Sequence, residues 1–206
     1  LLDFRKNEMA GLHLTLSEGD IVAYVRNICS SFLMLSEKKH VHLTFFSAVE
    51  WLNMSFDEDK VGKIVMNLLS NAFKFTPNGG RVDVSLEVLK GSPETLEIKV
   101  SDTGIGVKDE DKERIFERFY QAEHEGEDNH STGSGIGLSL VRDFVTLHGG
   151  AVRVFDNVGS GSVFVVDIPI KHSVVNVATP LSEEAAEEDA VALEVIGGTN
   201  REKEES

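Results

Sequence analysis

The helical period of hydrophobic and polar positions is clearest between Val61 and Asn78, VGKIVMNLLSNAFKFTPN. At about 100° per residue, Val61, Val65, Leu68, Leu69, Ala72 and Phe73 fall on one side, the face a core would take. Lys63, Asn67, Ser70, Asn71 and Lys74 fall on the other. The same period runs from about Asp20 to Lys39 through Ile21, Val25, Ile28, Phe32 and Leu35, and again from Gly137 to Leu147. Leu1 to Ala10 reads as the end of a helix cut off by Gly11. Strand character marks Leu12–Leu16, Val41–Ser47 and Trp51–Ser55. Arg81–Leu89 and Thr95–Ser101 alternate around Lys90–Glu94 as a hairpin, and Ala151–Phe155 and Ser162–Ile168 do so around Asn157–Gly161. Residues 102–134 are rich in glycine and charge, with one short helical patch at Lys112–Tyr120. The elements are interleaved but the late strands come as hairpins. This predicts an α/β two-layer sandwich, with a mixed, largely antiparallel sheet and helices on one face.

The polar stripe of the 61–78 helix is unusual. Exposed helix surfaces favour Glu, Lys, Gln and Arg, whereas Asn is a poor helix former. Two amides one turn apart, followed by an ammonium, suit a hard cation carrying phosphates. Two loops carry further chemistry. Asp102-Thr103-Gly104-Ile105-Gly106 follows a predicted strand, where the carboxylate can accept a hydrogen bond from an exocyclic amine and the glycines let a ring or phosphate approach the backbone. Gly133-Ser134-Gly135-Ile136-Gly137-Leu138 opens a helix, so its amides and the helix dipole would form an anion site. The spacing is GxGxG and the preceding residues are polar loop, which excludes a Rossmann turn; no Gly-Lys-Ser/Thr follows, which excludes a P-loop.

Composition narrows the classes. The net charge of −15 over 206 residues argues against nucleic acid as a partner. No apolar run approaches the ~18–20 residues needed to cross a bilayer. Cys29 is the single cysteine, so there is neither a disulfide framework nor a cysteine metal set. Residues 171–206 hold nine acidic and three basic residues with no aromatics, and read as a disordered tail or a linker to another domain, such as a receiver.

Four ordered segments, NLLSNAFKF, SDTGIGV, RIFERFYQ and GSGIGLSLV followed by HGG, resemble the N-box, first glycine box, F-box and second glycine box of sensor histidine kinases, members of the GHKL group of ATP-binding domains. The resemblance covers residues 11–170, with 1–10 matching the end of a preceding dimerisation helix. It implies the Bergerat-type ATP-binding fold, ATP and Mg²⁺ as cofactors, and an ATP lid at about 107–134. By this resemblance Asn71 would bind Mg²⁺, Asn67 would support the phosphates or a metal water, and Lys74 would contact a phosphate. Phe75 would pack on the adenine and Asp102 would accept its amine. Gly104 and Gly106 would allow close approach of the base. Gly133, Gly135, Gly137 and Leu138 would wrap the triphosphate, and Phe116 and Phe119 would anchor the lid. Gln121 stands where many relatives have Arg, a cation that Arg114 or Arg118 could replace.

The resemblance also separates kinase from hydrolase. Hydrolytic relatives carry a water-activating Glu four residues before the metal-binding Asn; here that position is Asn67, an amide that takes no proton at neutral pH. None of the seven histidines (13, 40, 42, 124, 130, 148 and 172) carries the family's acceptor signature, and His148 reads as a helix cap. The expected activity is transfer of the ATP γ-phosphoryl group to a histidine on a separate dimerisation domain of the same protein, with Asn67 and Lys74 as the catalytic residues. The resemblance further implies a response regulator receiver domain as partner, a homodimeric full-length protein, a monomeric fragment, and a cytoplasmic location in a membrane-anchored sensor. The alternatives are a nucleotide-sensing module without kinase activity and an anti-sigma-type serine kinase.

Overall fold

The computed structural model describes residues 13–121 and 134–172. The readings of the dimerisation-helix end, of most of the lid, of Gly133 and of the acidic tail from 173 fall outside the described residues. In chain order the elements are β1 (Ser17–Asp20), α1 (Ile21–Ser31), α2 (Leu33–Lys39), β2 (His42–Ser47), β3 (Asn53–Phe56) and α3 (Glu58–Phe75). The hairpin β4 (Arg81–Leu89) and β5 (Thr95–Asp102) follows, then α4 (Gly137–Leu147), β6 (Ala151–Asp156) and β7 (Ser162–Pro169).

Two aspartates decide where long helices begin. Asp20 accepts the Val22 amide at 3.1 Å and starts α1. Asp57 accepts the Lys60 amide at 3.0 Å and starts α3, three residues before the apolar stripe first becomes visible. Each carboxylate satisfies a first-turn N–H that has no partner inside its helix. Helix α3 then ends at Phe75, and the extended Thr76 returns its N–H to the Ala72 carbonyl.

Other boundaries depart from the sequence expectation. The first strand lies at Ser17–Asp20 instead of Leu12–Leu16, because Glu18 and Gly19 pair with Ser55 and Met54 of β3. The helix expected over 20–39 breaks at Phe32, whose ring leaves the run to stack on Phe73 of α3 at 5.6 Å. The helical patch at Lys112–Tyr120 shrinks to a single 3₁₀ turn, Arg114–Phe116.

Strands β2-β4-β5-β7-β6 form one sheet in that spatial order, with β2 parallel to β4 and the remaining pairs antiparallel. Strands β1 and β3 form a separate two-stranded ribbon. Period-two burial assigns one sheet face to the helices: Val82, Val84, Leu86, Leu96, Ile98, Val100, Val166 and Ile168 are all sealed. Against them pack Ile21, Val25 and the buried Cys29 of α1, Ile64, Leu68 and Leu69 of α3, and Val141 and Val145 of α4. The opposite face carries Asp83, Ser85, Glu87 and Lys99. The result is the expected two-layer α/β sandwich. Among the described residues no helix is long and apolar enough to cross a membrane.

Candidate functional site: a cleft between two antiparallel helices and a loop

The polar stripe of α3 forms one wall of a cleft of about 350 Å³, a size suited to a small-molecule ligand. Asn67, Ser70, Asn71, Lys74 and Phe75 line this wall. Asn67 donates its Nδ2 to the Lys63 carbonyl at 2.7 Å, which fixes its amide and turns Oδ1 towards α4. There Gly137 makes room: a Cβ on it would lie 2.6 Å from Asn67 Oδ1. Among the described residues no protein group hydrogen-bonds the Asn71 amide, so its oxygen is available to a ligand. The Lys74 ammonium lies 4.8 Å from the Phe75 ring centroid.

Asp102, at the end of β5, supplies the floor. Its Oδ1 accepts the Gly104 amide at 2.8 Å. Burial pushes its carboxyl upward, and amide hydrogen bonds from Gly104 and Ser162 oppose that. The loop joining β6 to β7 braces this corner through main-chain atoms. Asn157 Nδ2 donates to the Asp102 carbonyl at 2.8 Å, and Ser160 Oγ donates to the Gly104 carbonyl at 2.6 Å. Gly104 in turn lies against the end of α3, where a Cβ would meet the Phe75 carbonyl at 2.5 Å. The Asn stripe and the Asp loop are therefore one packed unit.

The third wall is the start of α4. Asp20 and Asp57 cap α1 and α3, but among the described residues no side chain caps α4. Its leading amides and the positive end of its dipole face the cleft through Gly135, Gly137 and Leu138, an arrangement that favours an anion. Gly135 has φ +66°, and its carbonyl accepts the Phe119 amide at 2.9 Å.

The cleft thus gathers Asn67, Asn71, Lys74, Phe75, Asp102, Gly106, Gly135, Gly137 and Leu138. Gly104 supports it from behind. Phe116 is buried, and its ring packs edge-on at 6.3 Å against Phe164, which lines the cleft in its place. Phe119 is exposed, with φ +64°. Ser70 of the polar stripe and Ser134 of the glycine loop also line it, and sequence reasoning missed Val107, Ile115, Tyr120, Ser162 and Phe164 as lining residues. Ser162 and Phe164, on β7, carry only the signal of inward alternation, which every core strand shares. Gln121 does line the cleft. Neither arginine offered as its substitute does: Arg114 lies 4.4 Å over the Tyr120 ring, and Arg118 pairs with Asp143 of α4 at 3.2 Å.

Among the described residues, then, the cleft joins a helix start without a side-chain cap to a buried carboxylate, so it offers donors to an anion and an acceptor to an amine. The sequence profile of the histidine kinase-, DNA gyrase B- and HSP90-like ATPases matches residues 56–172, and the chain belongs to this family, as an ATP-binding catalytic domain of the histidine kinase kind. It is 38% identical over 172 residues to hybrid signal transduction histidine kinase D of Dictyostelium discoideum, covering 82% of this chain and 11% of that protein. It is 34% identical to histidine kinase P4 of Formosa agariphila, covering 82% of this chain and 12% of that protein. Full-length ShkA, solved in complex with AMPPNP, superposes with a TM-score of 0.70 at 27% identity, covering 84% of this chain and 35% of that one. The chain therefore spans only a small part of the length of these relatives.

Proposed function

We propose that this domain holds Mg-ATP for phosphoryl transfer to a histidine on a dimerisation domain of the same protein, as one step of a two-component relay. The observation that carries the reading is the carboxylate inventory of the cleft. Among the described lining residues Asp102 is the only carboxylate, and it is buried and engaged by the Gly104 and Ser162 amides. Position 67, beside the phosphate end, offers an amide. Among the described residues beside it, none is a carboxylate or imidazole that can take a proton from water, and this supports an external nucleophile over hydrolysis.

The residues present fit the nucleotide and its ion. The unengaged Asn71 amide is an oxygen donor suited to Mg²⁺, whose charge would neutralise the phosphates. Asn67, fixed by Lys63, and Lys74 orient and balance the phosphates from α3. The α4 amides do so from the other side. Asp102 selects the adenine amine, and Phe75 and Phe164 flank the ring. Transfer then forms a bond from an acceptor imidazole nitrogen to the γ-phosphorus and breaks the bond to the β-bridging oxygen, and ADP leaves with the electron pair. Positioning and charge neutralisation are what such a reaction needs from its protein. A receiver domain as the next acceptor, a homodimeric parent protein and a cytoplasmic place in a membrane-anchored sensor belong to the same proposal.

The test is labelled ATP with a purified dimerisation fragment supplied in trans. Acid-labile label should appear on that fragment and vanish with Asn71→Ala, and Asp102→Ala should lose Mg-ATP binding while the fold survives. Acid-stable label would point to a hydroxyl acceptor instead. Tight binding without transfer would leave a nucleotide sensor, and full affinity in the Asp102→Ala protein would refute the adenine assignment.

A further inference from the structure

Helices α3 and α4 run antiparallel and pack against one another within the core, with a polar contact near each end. One is at the cleft, where Asn67 abuts Gly137. The other is at their far ends, where the Asp57 amide donates to His148 Nε2 at 3.2 Å. Ten residues along α3 and eleven along α4 separate these points, about 15 and 16.5 Å at 1.5 Å per residue. The contact at His148 thus fixes the end of the helix pair opposite the cleft.

The ring of His148 is 3% exposed. Its Nδ1 lies 2.8 Å from the Phe144 carbonyl and must donate there, so Nε2 must accept from Asp57 and the imidazole is neutral. The Asp57 carboxylate collects further ties. Its Oδ2 accepts the Thr15 amide at 2.7 Å and pairs with Lys60 at 2.7 Å. Thr15 belongs to the chain as it enters the domain. The outgoing chain reaches the same corner: the Lys171 carbonyl accepts the Ser55 amide at 2.7 Å, and the Lys171 ammonium donates to the His148 carbonyl at 3.2 Å.

We infer that His148 is a positioning residue for nucleotide binding: acting through the Asp57 amide, it sets the spacing of α3 and α4 and ties that spacing to the segments entering and leaving the domain. The inference rests on the nucleotide-binding reading of the cleft. A protonated ring would point a second donor at the Asp57 N–H and loosen the helix pair at its far end. The charged groups facing the ring are Asp57 and Lys60 from the start of α3 and Lys171 beyond β7. Burial holds the ring below the ordinary histidine range; the Phe144 carbonyl and Asp57 oppose that, and the two ammonium groups reinforce it.

The experiment compares Mg-ADP binding to the full chain and to its His148→Gln and His148→Ala variants at pH 7.5. Glutamine can accept from Asp57 and donate to Phe144, whereas alanine can do neither. His148→Ala should lose about fivefold or more in affinity, and His148→Gln should recover most of that loss. Wild-type affinity in His148→Ala, or an equal loss in both variants, would overturn the inference. Exchange of the Asp57 amide, followed without nucleotide, should quicken about tenfold in His148→Ala and stay slow in His148→Gln. Unchanged protection in His148→Ala would also overturn it. Absence of nucleotide binding to the wild type would instead sink the proposed function, and the amide exchange would still decide the lock.

Discussion

Replacing Gly137 with alanine separates stability from function in this domain. The added Cβ would lie 2.6 Å from Asn67 Oδ1, and ordinary contact begins at 3.4 Å, so the amide must retreat by about 0.8 Å. That movement breaks its 2.7 Å bond to the Lys63 carbonyl, a loss of about 1 kcal/mol. Alanine at a helical position returns roughly 1 kcal/mol over glycine. The two effects nearly cancel, and Tm should stay within about 4 °C of wild type. Nucleotide binding has no such offset. An amide that contacts charged phosphates or their metal contributes about 1.5–3 kcal/mol, so displacing it should weaken Mg-ATP binding roughly 10- to 150-fold. Calorimetric titration beside a thermal melt reads both quantities. Wild-type affinity in the Gly137→Ala protein would refute the role of Asn67 and the geometry from which it is drawn.

Three other outcomes are expected. In α3 a Cβ at Gly62 would meet the Tyr24 hydroxyl at 2.7 Å but the ring carbon only at 3.7 Å; Gly62→Ala should therefore destabilise the wild type yet add about 1 kcal/mol in a Tyr24→Phe background, measured by urea denaturation as a double-mutant cycle. Gly161 (φ +102°) would drive a Cβ to 1.9 Å from the Asp102 carbonyl, whereas Gly159 (φ +87°) has nothing within 4 Å; Gly161→Ala should lose at least about 3 kcal/mol and nucleotide binding with it, and Gly159→Ala only about 1–2. Stability should fall in two stages on acidification, followed by thermal melts against pH. Folding lowers the His148 value from 6.5, so the unfolded chain binds the proton first and stability declines as pH drops below 6.5 towards that lowered value. Burial alone would raise Asp57, but Lys60 and the Thr15 amide outweigh it and hold it below 3.8, so its contribution persists to lower pH and is then lost. His148→Gln should remove the first stage alone.

Much of this architecture is written in periodicity. The α3 stripe, both hairpins and the α4 start stand where alternation puts them, because each buries one face against a single core. Boundaries were less legible for identifiable reasons. The break at Phe32 is invisible because Val25, Ile28, Phe32 and Leu35 keep helical spacing straight through it, although Leu35 is 37% exposed and nothing in α2 is buried. The true start of α3 did carry a signal, an Asp cap followed by Glu58 and Asp59 in the first turn, which a stripe-based reading passes over. At the site, residues that present a charge or an amide to the cleft could be read from type and spacing. The brace from Asn157 and Ser160 could not. In sequence it is only a turn between two strands, and its targets are carbonyls about 55 positions away, which no side-chain pattern records.

The lone cysteine acquires a practical meaning from where it lies. Cys29 is sealed within α1, and burial pushes its thiol up to about 11, so at neutral pH it offers almost no thiolate to an alkylating reagent. Ile105, in contrast, stands out from the Asp102–Gly106 loop at 55% exposure, while that loop is held through its main chain. An Ile105→Cys protein should accept one maleimide fluorophore beside the Asp102 corner of the cleft, with the native thiol left in place. The domain thus comes with its chemical background already silenced, and a nucleotide-responsive reporter can be built on it with one substitution.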